Sequence, residues 1–117
     1  MENKKEGREK EKVIVYAPHK IAKEKNEKLN KVINIMQKKG SPVIKVVDCG
    51  DYYQAIEGCH RLAACQILHI NPKLEIYNYD DNKKIQVQIG NETKKLTIAQ
   101  ACDWANKGDR DWYEFEI

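Results

Sequence analysis

Five consecutive residues, Glu57-Gly58-Cys59-His60-Arg61, bring a carboxylate, a flexible backbone, a thiol, an imidazole and a guanidinium together. A short apolar run precedes them and the small apolar segment Leu62-Ala63-Ala64 follows at once, a strand–turn–helix pattern. A helix starting near Cys59 leaves its first backbone N–H groups without partners. The helix dipole adds partial positive charge at the same place. Gly58 lets a ligand approach the backbone, and His60 and Arg61 add side-chain donors. This combination suits an anion, and phosphate is the commonest biological anion that fits. Cys59 at that helix start, beside Arg61, is expected to have a lowered pKa and hence nucleophilic character. The same residues also have plainer readings. Cys59 can pack in a core, Arg61 can pair with Glu57 or Asp48, and His60 can stand exposed at a helix start. Lys28 and Lys31, one turn apart, read either as phosphate contacts or as a solvated helix face.

The elements that must position this turn follow from periodicity. "VIVYAP" (13–18) is a strand closed by Pro18. Leu29, Val32, Ile33 and Met36 mark one face of a helix over 26–39, stopped by Gly40 and Pro42. "VIKVV" (43–47) and "YYQAI" (52–56) are strands close enough to pair as a hairpin. "CHRLAACQILHI" is apolar nearly all round, as a buried helix is, and "LEIYNY" (74–79) is a further strand. "KIQVQI" and "KLTI" alternate as a hairpin. Thr97 and Gln100 form a capping box before the stripe Ile98, Ala101, Cys102, Ala105. "DWYEFEI" alternates again. The order β-α-β-β-α-β, then hairpin, helix and strand, predicts a compact α+β domain with a mixed sheet. Residues 1–12 read as a charged flexible tail, 13–117 as one domain, and 80–117 as an appended subregion.

With 117 residues, 41% hydrophobic and 33% charged, the chain has the composition of one soluble domain. A net charge of +3 is too mild to favour nucleic acid as a partner. There is neither a membrane-spanning run nor an apolar leader, so a cytoplasmic location with no membrane partner is expected. Cys49, Cys59, Cys65 and Cys102 are read as reduced thiols. Cys65, nearly two turns past Cys59, reads as a packed side chain or a resolving thiol. No ligand spacing suggests a metal centre. Tyr52, Tyr53, Tyr77 and Tyr79 are candidates for stacking on a base or for packing on the sheet. Trp104 and Trp112 are assigned to the core of the terminal subregion.

"EGCHRLAACQIL" resembles the signature of the ParB/sulfiredoxin superfamily, in which Gly-x-x-Arg opens a helix rich in small residues. Gly58, Arg61, Ala63 and Ala64 fit it. Gly58-Cys59-His60-Arg61 is similar to the sulfiredoxin motif at all four positions. The likeness extends upstream through "VIVY", Lys28 in "EKLNKVINIM", "SPVIKVV" and "DYYQAI", and covers about residues 13–79. The resemblance to sulfiredoxin implies an enzyme that uses ATP, or another nucleoside triphosphate, with Mg2+ to rescue an over-oxidised cysteine of a protein substrate. Cys59 would be the nucleophile, His60 and Arg61 would hold phosphates, and Lys28 would assist from the facing helix. Glu57 stands where sulfiredoxins have a second glycine. Lys31 and Ile35 replace two hydroxyl side chains of the ATP-facing helix.

The ParB branch implies a different activity: a module that binds nucleotide or DNA through the same turn without thiol chemistry. Some relatives of that branch are called nucleases. Others phosphorylate free serine, which would make Glu57 a general base. No second arginine motif appears near "IYNYDD" and no helix-turn-helix segment follows, so a full chromosome-partitioning protein is not expected.

Overall fold

A computed structural model describes residues 11–117. Of the charged tail expected over 1–12, residues 1–10 lie outside the described residues, and Lys12 already opens the first strand. The elements are β1 (Lys12–Tyr16), α1 (Glu27–Lys39), β2 (Val43–Asp48), β3 (Tyr53–Ala55), α2 (Cys59–Leu68), β4 (Lys73–Asn78), β5 (Lys84–Ile89), β6 (Glu92–Thr97), α3 (Ile98–Ala105) and β7 (Trp112–Glu116). Their order is the one periodicity predicts, and the fold is a single α+β domain.

Each helix start has its own chemistry. The Asn26 side chain accepts from the Leu29 N–H at 3.0 Å and caps α1. Gly40 ends α1 at φ +83°, donating its N–H to the Met36 carbonyl at 2.7 Å. Thr97 and Gln100 close the expected capping box on α3. At the start of α2, Gly58 sits in the left-handed region and has no side chain to offer as a cap.

Five strands form a mixed sheet in the order β4-β2-β3-β1-β7. β1 and β3 are parallel, β2 and β3 form the expected antiparallel hairpin, and β2 runs parallel to β4. β7 adds antiparallel to β1, with Val15 opposite Tyr113 and Val13 opposite Phe115. The last strand is therefore integral to the sheet. Only β5, β6 and α3 form a unit apart, because β5 and β6 pair with each other alone.

Pleating sends adjacent side chains to opposite faces, and each face has its own core. Val15, Ile44 and Val46 pack on one side with Leu29, Met36 and Leu62 of α1 and α2. Val47 and Ile56 pack on the other with Val87, Ile98, Ala101 and Cys102 of the hairpin and α3. Each fully buried Leu, Ile or Val contributes roughly 1.5–3 kcal/mol, so both layers are held by apolar burial. Among the described residues, Gln54 is the buried polar exception. Its amide donates to the carbonyls of Tyr16, Ala17 and Ala55 at 3.3, 3.3 and 2.9 Å, and accepts from Arg110 at 2.9 Å. It ties the ends of β1 and β3 together beneath the turn.

Candidate functional site

β1 and β3 run parallel, so the segments that follow them leave the sheet at the same end. Pro18 and His19 follow β1, and Ile56 to Gly58 follow β3. Ile56 belongs to the core under α3, whereas Cys59 and Leu62 belong to the core under α1. The 57–61 turn therefore lies where the two helical layers meet. A cavity of about 340 Å³ opens there, with walls that include Lys28, Glu57, Gly58, Cys59, His60 and Arg61. The structure thus brings Lys28 together with Glu57, Gly58, Cys59, His60 and Arg61.

Gly58 has φ +93° and ψ 29°. A Cβ at this position would lie 3.0 Å from Ile44 Cδ1 and 3.5 Å from the Arg61 guanidinium. Backbone conformation and space both demand glycine. The Leu62 N–H reaches the Gly58 carbonyl at 2.8 Å as the first bond of the helix. The N–H groups of Cys59, His60 and Arg61 receive no side-chain cap, unlike the starts of α1 and α3.

Arg61 is held at both ends of its fork. One nitrogen donates to the Val43 carbonyl at 3.1 Å, and the other lies 3.7 Å from the Glu57 carboxylate, one turn back. Of the two acidic partners weighed from sequence, Glu57 is the one found. His60 lies 3.4 Å from the Asn26 side-chain nitrogen. That nitrogen is a donor, because Asn26 Oδ1 caps α1, which suits the His60 tautomer with Nε2 as acceptor. Burial, Lys28 and His19 all push the His60 pKa below its ordinary value of 6.5. Lys28 is exposed on α1 and reaches the cavity; Lys31, also exposed, is not part of its wall.

Cys59 departs from expectation. It is 5% exposed, and its sulfur donates to the His19 carbonyl at 3.5 Å. Burial pushes the thiol above its ordinary value of 9.0, outweighing the opposing pull of nearby backbone and Lys28. The lowered pKa expected from the helix start and Arg61 is corrected: desolvation wins where the thiol is turned into the core. Cys65 is a packing residue, with its sulfur 3.8 Å from that of Met36 and burial raising its pKa to about 11.

Among the wall residues not assigned to the site from the sequence are His19, Gln88 and Trp104. Each lies far from the 57–61 motif in sequence, and only the layer packing brings them in. The four tyrosines named for base stacking are engaged elsewhere; Tyr52 packs edge-on against Tyr16, and Tyr79 bonds Asp103. Trp112, assigned to a core, is 53% exposed on β7. No group of three or more His, Cys, Asp or Glu among the described residues is placed to hold a metal, and no helix is long and apolar enough to cross a membrane.

The model of the ParB N-terminal domain matches residues 9–93, most of the chain and all of the turn. The chain belongs to that family. The ParB-type match takes in β1 to β5 and the start of β6, and so carries α1, α2 and the cavity's cationic side. α3 and β7 lie beyond it. No curated protein and no solved structure matches the chain.

Proposed function

We propose that this ParB-like domain is a nucleotide-binding module that grips the phosphates of a nucleoside triphosphate at the start of α2, without thiol chemistry. One observation carries this reading: the helix start that lacks a side-chain cap opens into the cavity shared by Lys28, His60 and Arg61. First-turn N–H groups, a guanidinium and an ammonium together offer an oxyanion several donors and two full charges. Gly58 keeps the approach open. Mg2+ would arrive on the phosphates.

The sulfiredoxin-like alternative needs a thiolate at Cys59. A thiol in the core, donating to a carbonyl, is poorly suited to attack. The kinase alternative needs Glu57 free as a base, whereas Glu57 stands beside Arg61. Both observations favour binding over these chemistries.

The test is equilibrium binding of Mg-ATP and Mg-CTP to the native chain and two variants. Arg61→Ala is expected to remove binding, and Cys59→Ser to leave it within about twofold. Undiminished binding by Arg61→Ala would overturn the proposal.

A further inference from the structure

The phosphate reading leaves half of the cavity unexplained. Besides the cationic side, the cavity wall includes the apolar side chains of Val32 of α1, Ile56 after β3 and Trp104 of α3, and Gln88 of β5. Trp104 is half-buried and packs on the core that includes Val47 and Ile56, so it is anchored while still lining the cavity. An inorganic phosphate would fill only part of about 340 Å³ and leave this apolar wall without a partner. A ligand with a flat aromatic ring joined to a phosphate would use both sides.

Gln88 lines the same cavity, and its side-chain amide is the candidate to read such a ring. Its side-chain nitrogen donates to the Gly90 carbonyl at 3.0 Å, and its oxygen accepts from Thr93 at 2.9 Å. Both bonds hold the amide in place, yet one N–H and one lone pair remain. A fixed amide offering one donor and one acceptor matches the edge of a nucleobase.

Resting on the phosphate reading above, we infer that Trp104 and Gln88 form a base-recognition wall, so that the site selects nucleosides carrying phosphates over phosphates alone. The hairpin and α3 then complete the binding site rather than only packing beneath the sheet. Trp104 lies beyond residues 9–93 that the family model matches, whereas Gln88 lies within them, so the wall joins the family's part of the chain to α3.

The experiment uses Trp112→Phe as background, leaving Trp104 the only tryptophan, since the chain has two. Its fluorescence is followed during titration with Mg-ATP, Mg-CTP, Mg-GTP, Mg-UTP and Mg-tripolyphosphate. The expected result is quenching by at least one nucleotide, and affinity for it about tenfold above that for tripolyphosphate. Binding to Trp104→Leu and Gln88→Ala is read by calorimetry, with circular dichroism to check folding. Trp104→Leu keeps an apolar side chain in the core and is expected to lose that tenfold preference while holding tripolyphosphate as before; Trp104→Phe should restore part of it. Gln88→Ala should reduce discrimination among bases.

Equal affinity for tripolyphosphate and all four nucleotides would overturn the base wall and leave the phosphate site standing. Binding of none of the five probes would overturn both. Should Trp104→Leu fail to fold, the comparison of tripolyphosphate with nucleotides in the native chain decides alone.

Discussion

The guanidinium of Arg61 stands 3.7 Å from the carboxylate of Glu57, one helical turn away at the mouth of the cavity. Both side chains are more than a third exposed, so the pair contributes little to stability, between about 0 and 1 kcal/mol. Under the proposed phosphate binding its weight falls on the site instead, because a carboxylate beside Arg61 opposes an incoming anion. Glu57→Gln is therefore expected to tighten phosphate binding several-fold with little change in melting temperature. Calorimetric titration with Mg-nucleotide reads this directly. A kinase using Glu57 as base would instead keep its binding and lose turnover.

Gly58 makes a second, structural prediction. Gly58→Ala places a Cβ in the left-handed region and 3.0 Å from Ile44 Cδ1. The strain costs about 1–3 kcal/mol, and the shifted turn re-aims the N–H groups of α2. Thermal unfolding should move down by several degrees, with nucleotide affinity falling as well. Unchanged stability would mean that the turn is looser than its geometry states.

Cys59 supplies a test of protonation. With burial pushing its thiol above the ordinary value, alkylation by iodoacetamide should be slow at neutral pH and climb steadily as pH is raised. Peptide-resolved mass spectrometry separates it from the half-buried Cys49. A rate that levels off below neutral pH would restore the nucleophile reading.

His60 is expected to set the pH dependence of the proposed binding. Its folded pKa lies below 6.5, and a bound phosphate favours the imidazolium, so the bound pKa is higher than the free one. Affinity gained through His60 therefore grows as pH falls through the bound value and levels off below the free value. The ligand's own terminal phosphate titrates in the same range, so the quantity to follow is the affinity ratio of native chain to His60→Gln. That ratio should rise with acid. Without ligand the sign is opposite for stability: the unfolded chain takes up the proton first, so His60 costs stability as pH falls below 6.5. A flat ratio would place His60 outside the phosphate contacts.

The sequence carried the element order well, because each element has a strong local signal. The α1 stripe with its Gly40 stop, the Thr97–Gln100 box and the alternation of β5 and β7 all depend on neighbours a few residues away. The 57–61 turn was legible for the same reason: Gly58 and the helix start are contiguous. Long-range relations were not legible. Nothing local says that β7 returns to pair with β1, or that Trp104 of α3 reaches the cavity while Trp112 faces outward. The protonation of Cys59 is long-range in the same way. Helix-start chemistry argues for a thiolate, but burial between α1 and the sheet decides the proton, and burial is a tertiary property.

The central claim is that the start of α2 binds nucleotide phosphates, and a thermal-shift panel tests it most directly. The native chain and Arg61→Ala are each melted with Mg2+ and ATP, ADP, CTP or tripolyphosphate. Ligand at ten times Kd stabilises the folded state by about 1.4 kcal/mol, enough to raise the melting temperature of a domain this size by several degrees. The account predicts such a rise for at least one triphosphate with the native chain and none with Arg61→Ala. No rise with any ligand, or an equal rise in both proteins, would contradict it.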